Sequence, residues 1–368
     1  MEKIRRMREV PIWVGVSVVA AILFTLFFCA LLPLSGNDLG GKEKKRGYVY
    51  EARCDEPLGS DVEWSDTECY LWHGYLSCHF YREMSGDESF VYSREAGATT
   101  LPIYGGRGKG FSPKWRWGFS LGVGTQFYHY DWDVDARYQY FGSCVTRDVT
   151  KTEGGTLIPL RSVSLNAGQV AKARGKNTFV LNELDIDLSK RFHFEENLLI
   201  NAILGVRNTW IKNDQTLFYT GGATLGNRFV KVEEDNRYWG IGPLAGVKAR
   251  WLLFDHFYLL GEGDISLEYV VNHSSYTELE KSVSAATIQL SEVKQYLAPT
   301  IDLKIGCGLA EYVYCNEAHI SLDFTYDTQF FYNRSNAFNI EPYASVRYTR
   351  PNHDVTIQGF ALSLTILY

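Results

Sequence analysis

Apolar and polar residues alternate through most of this chain with a period of two, which is typical of β-strands. The alternation is clearest in residues 354–368, where one face carries Phe360, Leu362, Leu364, Ile366 and Tyr368. Small or polar residues occupy most of the other face. The closing segment is therefore predicted to be a strand with one apolar, aromatic side.

The same pattern recurs upstream, in stretches that begin near Trp115, Trp132, Leu184, Leu198, Trp239, Leu259, Leu297 and Ile320. Charged residues fall almost entirely on one side of each stretch. A Lys or Arg at the middle of a bilayer costs about 2–4 kcal/mol, so that side must face away from lipid. Because backbone groups in lipid need internal partners, only helices or closed barrels can span a membrane. The pattern predicts an all-β protein, a closed antiparallel transmembrane β-barrel.

The connections between these stretches alternate in length. Short connections are predicted near 129–131, 193–197, 252–256 and 309–317, and long ones at 146–178, 213–237, 273–293 and 333–353. Outer-membrane barrels place short turns in the periplasm and long loops outside, which requires an even number of strands. Ten strands fit if only residues 70–82 precede Trp115, and twelve fit if 48–53 and 90–94 are also strands. We favour twelve, with ten as the alternative.

The N-terminus has the features of an export signal. Four basic residues precede an apolar run over about 12–34, and Ser35 and Gly36 supply small residues for cleavage. We predict a signal peptide at 1–36, with an uncleaved anchor helix as the alternative. A flexible leader at 37–47 and a barrel at 48–368 follow.

Composition agrees with this class. Aromatic residues make up 15% of the chain, and 33 Gly stand against 10 Pro, as suits a barrel wall. The net charge of −6 becomes −8 when the signal, with four basic and two acidic residues, is removed. An acidic protein of this kind is not expected to bind nucleic acid.

Six cysteines remain after the signal, an even number that permits disulfides in an exported protein. We consider Cys54 with Cys69 and Cys307 with Cys315 as pairs, with six free thiols as the alternative. None of the cysteines has the close spacing of a zinc site.

The charged side of the strands is predicted to line the lumen. Its residues are Arg116, Asp133, Asp135, Arg137, Glu183, Asp185, Asp187, Arg207, Lys248, Arg250, Glu262, Asp264, Glu268, Asp302, Lys304, Asp323 and Asp327. Acidic and basic strands are predicted neighbours, and opposite charges across adjacent strands contribute about 0.2–1 kcal/mol per pair. These groups could form a structural ladder that partly fills the bore, or line a water path that selects solutes. The sequence leaves both open.

Particular strands also resemble a known family. Residues 114–124 and 130–141 resemble the first strand pair of the chlamydial and legionella-type major outer membrane protein-like family, which forms pores. The resemblance continues through 184–190, 205–207 and 238–246 to the closing strand, so it covers about 115–368. It implies a porin-like protein with no catalytic residues. The five residues of the closing apolar face, ending in Tyr368, resemble the C-terminal assembly signal of such barrels.

We therefore predict a non-enzymatic, porin-like protein of the cell outer membrane, exported across the inner membrane, that lets small solutes and ions diffuse passively or with weak selectivity. The alternative is a structural or surface-adhesion barrel with a plugged lumen, because side chains can fill a barrel of ten strands. An enzyme would need a nucleophile and a base at the outer rim, which the histidines of the predicted outer loops do not supply. No cofactor or metal is expected. The expected partners are outer-membrane lipid, the barrel assembly machinery and a homo-oligomer.

Overall fold

The structure is a computed structural model. It describes residues 70–85, 89–94, 107–127, 132–165, 168–194, 197–254, 256–280, 286–313, 318–336, 339–341, 347–349 and 352–368. The predicted signal peptide, leader and strand 48–53 lie outside these residues. No helix in the described part of the chain is long and apolar enough to cross a membrane.

Strands dominate the described residues. In chain order they are β1 (Tyr70–Ser85), β2 (Ser89–Arg94), β3 (Arg107–Gly110), β4 (Arg116–Phe127), β5 (Trp132–Thr150), β6 (Thr156–Pro159), β7 (Lys172–Phe194), β8 (Leu198–Thr220), β9 (Phe229–Phe254), β10 (Phe257–Glu280), β11 (Ala286–Val313), β12 (Ala318–Asn336), β13 (Asn339–Glu341), β14 (Arg347–Thr349) and β15 (Asn352–Leu367). A one-turn helix, α1 (Gly222–Leu225), lies between β8 and β9.

Ten of these strands form a closed antiparallel barrel, in the order β1-β15-β12-β11-β10-β9-β8-β7-β5-β4. The first and last strands close it, and the backbones of Trp72 and Tyr368 exchange hydrogen bonds of 3.0 and 2.8 Å. If the residue pairs are followed from strand to strand once around the barrel, a path that starts at Trp210 on β8 returns to β8 at Leu198. The shear of the barrel is therefore 12 residues (210 − 198). With about 3.3 Å per residue and about 4.8 Å between strands, this shear tilts the strands by roughly 40°.

The strand count corrects our preference for twelve. Residues 89–94 form a strand, as predicted for 90–94, but β2 pairs with β3 and β6 in a separate three-stranded sheet. The barrel therefore has the alternative count of ten strands. Alternation alone could not distinguish a barrel strand from a strand of another sheet. Residues 107–110 form β3 in that sheet.

The barrel strands change character along their length. We call the end of the barrel with the short turns its lower end. In the lower part the outward side chains are apolar and exposed, for example Leu204 at 62% and Ile305 at 70%. Trp210 and Trp239 face each other on β8 and β9 at the upper edge of this zone, where aromatic girdles meet the membrane interface. This arrangement confirms the prediction of apolar side chains facing lipid.

Above the two tryptophans the pattern inverts. Val230 and Val232 are fully buried on the inner side of β9, whereas Lys231 and Glu233 point outward. The strands thus continue beyond the membrane, with water outside and a packed core inside. The predicted loops 213–237 and 273–293 are mostly strand, because β8 ends at Thr220 and β9 begins at Phe229, while β10 ends at Glu280 and β11 begins at Ala286.

Candidate functional site

The lumen is the candidate site, because the predicted pore-lining residues share the inward side of the barrel strands. Arg116 is the exception. It is exposed at the start of β4 and donates a 2.8 Å hydrogen bond to the carbonyl oxygen of Cys144. Most of the remaining residues belong to a buried ion network in the middle of the lumen, to a cavity below it, or to both. Asp264 and Glu268 belong to neither set and are buried on the inner side of β10.

Arg207 on β8 is the centre of the ion network. Its guanidinium donates to both carboxylate oxygens of Asp185 on neighbouring β7, at 2.8 and 2.9 Å. It also lies 2.6 Å from Asp302 on β11, three strands away around the barrel. All three side chains are at most 1% exposed. An ion contact between distant strands, without access to water, therefore crosses the lumen at this level.

Arg137 extends the network across the barrel. Its guanidinium lies 2.6 Å from Asp185 and 3.2 Å from Glu262 on β10, four strands from β5. Glu262 in turn pairs with Lys304 on β11. We call Arg137, Glu183, Asp185, Arg207, Glu262, Asp302 and Lys304 the ion network.

Hydrogen bonds from neutral donors also cross the lumen. Gln139 on β5 donates to Gln329 on β12 at 2.8 Å, and Ser143 donates to Glu83 on β1 at 2.6 Å. Tyr81 on β1 donates to Asp327 on β12. These bonds join strands that are not neighbours, so they brace the barrel wall across the lumen.

Arg334 was missed by the sequence analysis, which placed residues 333–353 in an outer loop. It is fully buried on β12 and lies 3.1 Å from the equally buried Glu268. The register of β12 shifts between Phe331 and Ser335, and Asn333 has a positive φ of 56°. This bulge breaks the period of two, which is why alternation could not assign Arg334 to the inner side.

The upper end of the lumen is occupied by a second structure, which we call the outer plug. It consists of β2, β3, β6 and residues 160–165. Its apolar core includes Phe90, Val91 and Leu157 from the plug, and Leu217, Tyr219, Val230, Val232 and Tyr276 from the inner side of the barrel. The outer plug is therefore packed into the barrel mouth.

Polar contacts anchor the plug to the wall. The fully buried carboxylate of Glu278 on β10 accepts hydrogen bonds from the amides of Val163 and Ser164, at 2.9 and 3.1 Å, and from the Ser162 hydroxyl at 2.8 Å. Tyr219 donates to the carbonyl oxygen of Phe90 at 2.7 Å. Burial above the membrane raises the pKa of the Tyr219 phenol, which keeps it a neutral donor.

Below the ion network lies a cavity of about 220 Å³, which we call the vestibule. Leu199 and Leu367, beside the ends of β8 and β15, line its lower end. It therefore occupies the half of the lumen next to the short turns, which faces the periplasm in barrels of this kind. Its charged lining includes Arg137, Glu262 and Lys304 from the lower side of the ion network, together with Asp133, Asp135, Asp187, Arg191, Lys248, Arg250, Asp323 and Asp327. Among the described residues, no group of three His, Cys, Asp or Glu side chains could hold a metal ion.

The other predicted residues are placed as follows. The side chains of the proposed assembly signal lie on the outward side of β15 and at the C-terminus, and Leu362 is 50% exposed. Their role in assembly stays a prediction. Cys307 forms no disulfide with another described residue. Its predicted partner Cys315, as well as Cys54 and Cys69, lies outside the described residues, so both disulfides also stay predictions.

Several solved structures are similar to this chain. The outer membrane protease OmpT from Escherichia coli is 11% identical, with 82% of this chain and 99% of that chain covered and a TM-score of 0.39. A major outer membrane protein from Thermus thermophilus is 11% identical, with coverage of 82% and 100% and a TM-score of 0.29. A Pseudomonas aeruginosa FadL homologue is 10% identical, with coverage of 81% and 90% and a TM-score of 0.27. No curated protein matches the chain.

A family model described as the Legionella pneumophila major outer membrane protein precursor matches residues 75–368. The match includes most of β1 and every later barrel strand. It confirms the resemblance inferred from the strand motifs, and with it the outer-membrane location. The chain belongs to the Legionella major outer membrane protein family of outer-membrane β-barrels.

Proposed function

We propose that this protein is a structural, surface-exposed outer-membrane barrel whose lumen is closed to solutes. The observation that carries the proposal is Arg207, which is fully buried in mid-lumen between Asp185 on one side and Asp302 on the other. A barrel that conducts ions needs a continuous water-filled path at every level. Among the described residues, no water-sized space adjoins the Arg207 side chain, and this supports a closed lumen at its level.

The closed state is held by electrostatics. Each buried charge of the network has an oppositely charged neighbour, and removal of one partner of a buried pair costs about 3–5 kcal/mol. Water could pass only if several of these pairs separated together. The network therefore supports a wall-bracing role, as in the ladder interpretation of the sequence.

The outer plug supports the same proposal from the other end. It closes the upper mouth with an apolar core, and the strands carry this core beyond the membrane. This part of the protein is the part presented at the cell surface if the short turns are periplasmic. A contact or structural role at the surface requires neither a catalytic group nor a bound cofactor.

A porin-like function is the second candidate, and the vestibule is the observation that favours it. Half of the lumen already contains a cavity lined by charges of both signs, as expected in a weakly selective pore. Conduction would require the ion network and the outer plug to open together.

Single-channel recording in planar bilayers distinguishes the two candidates. Purified protein, checked for a folded barrel by heat-modifiable gel mobility, should give no conductance at a load where an open porin conducts. Stepwise conductance from the folded wild-type protein would overturn the closed-lumen proposal and favour the porin-like function.

A further inference from the structure

The vestibule contains a pair of acidic residues in an unusual position. Asp135 on β5 and Asp187 on β7 are directly opposite in the strand register, and both line the cavity. Like charges in directly opposite positions repel each other. The Asp135 carboxylate lies 2.5 Å from His73, whereas Asp187 makes no hydrogen bond or ion pair within the described residues. A cation between the two carboxylates would relieve the repulsion.

A pair of basic residues lies on another part of the same cavity. Lys248 and Arg250 are two residues apart on β9, so both point inward. Lys248 lies 3.9 Å from Glu262 and Arg250 lies 4.0 Å from Asp323, and both side chains face the cavity. An anion bound at this position would be attracted by both positive charges.

The two pairs are separated by a distance that a small molecule can span. Strands β7 and β9 lie on either side of β8, about 10 Å apart. Both residues pair with β8, Asp187 with Gly205 and Lys248 with Asn201. These two positions on β8 are four residues apart, which is roughly 13 Å along the strand. The side chains of Asn201 and Ile203 line the cavity between them.

From this arrangement we infer that the vestibule is a binding site for a small zwitterion. Its ammonium group would lie against Asp135 and Asp187, and its carboxylate against Lys248 and Arg250. The cavity of about 220 Å³ is smaller than the roughly 300–1,000 Å³ of sites for drug-sized ligands. The ligand is therefore an extended molecule of metabolite size. This site is independent of the closed-lumen proposal, because it needs neither the ion network nor the plug to open.

Calorimetric titration of the folded protein in detergent with small charged probes tests the inference. 6-Aminohexanoate should bind more tightly than glycine, whose charges are too close together to reach both pairs. Hexanoate and hexylamine, which each carry one charge, should bind at least about tenfold more weakly, because each loses one set of charge-assisted contacts.

Two variants locate the site. Asp187→Asn and Lys248→Met should each weaken 6-aminohexanoate binding about tenfold and leave heat-modifiable mobility unchanged. The matched controls are Asp148→Asn and Lys172→Met, which change exposed residues at the outer ends of β5 and β7 and should not alter binding.

If 6-aminohexanoate does not bind at about 10 mM, a concentration above a weak, millimolar Kd, the inference is overturned. Equal binding of the singly charged probes, or unaltered binding by both vestibule variants, would also overturn it. None of these results bears on conductance, which tests the closed lumen separately.

Discussion

Gly242 on β9 and Leu267 on β10 lie so close that a Cβ on the glycine would overlap the Leu267 carbonyl oxygen. The ladder between the two strands is interrupted here, since pairing passes from Leu244 and Ser266 directly to Ile241 and Tyr269. Pro243, which has no N–H to donate, lies at the interruption. The close approach brings the inner face of β9 against Glu268, whose carboxylate lies near Gly240.

This contact predicts that Gly242→Ala destabilises the barrel by about 1–3 kcal/mol, because the added methyl group meets backbone that cannot rotate away. Urea unfolding in lipid vesicles, followed by tryptophan fluorescence, measures the change. The control is Gly261→Ala on β10, where a Cβ meets nothing within 4 Å. Equal stability of the two variants would contradict this account of the close approach.

A second prediction concerns the ion network. Arg207→Met should destabilise the barrel by about 3–5 kcal/mol, because it leaves Asp185 and Asp302 buried near each other without their shared cation. Equilibrium unfolding in vesicles provides the measurement.

The control for Arg207 is another arginine. Arg174→Met removes an exposed guanidinium 3.6 Å from Asp148, and exposed pairs of this kind contribute only about 0–1 kcal/mol. If the two variants unfold at the same urea concentration, Arg207 does not hold the lumen in the way described.

The contrast between these arginines shows how far sequence reasoning extends. Period-two alternation assigned Asp185 and Arg207 to the inner side, and their adjacency on β7 and β8 followed from the order of the strands. Alternation could not predict that Asp302, three strands away, reaches the same guanidinium. That contact depends on the barrel radius and the shear of 12, which arise only when the first and last strands pair.

The barrel strands above the membrane were not predicted, for a different reason. A membrane-spanning strand is recognised by apolar residues that face outward, but above the membrane Val230 and Val232 face inward while Lys231 faces out. The segment has the same period with the opposite polarity, so an outward apolar face could not identify it as strand. A reversal of polarity within one continuous alternation is the signal that could have predicted strands rising above the bilayer.

A third prediction tests the anchoring of the plug. Glu278→Gln should weaken the hydrogen bonds from Ser162 and the amides of Val163 and Ser164, because a neutral amide oxygen accepts less strongly than a carboxylate. Trypsin cleavage after Arg161, within the plug, should become about tenfold faster as the segment opens more often.

The control for this experiment is Glu233→Gln, which changes a 44% exposed carboxylate on the outer side of β9. It should leave cleavage after Arg161 unchanged. Equal rates for wild type and Glu278→Gln would mean that the apolar core alone holds the plug in the barrel mouth.

The final prediction tests which end of the barrel faces the cell surface, because the surface role depends on it. In a background with all cysteines replaced by serine, a cysteine in place of exposed Glu153, in the β5–β6 connection, should react with a membrane-impermeant maleimide on intact cells. A cysteine in place of Asn197, in the short turn before β8, should react only after the outer membrane is permeabilised. This outcome is expected because short turns lie in the periplasm and long connections outside. Labelling of position 197 but not 153 on intact cells would reverse the orientation. It would place the outer plug in the periplasm and direct the vestibule, with its acidic and basic pairs, toward the medium.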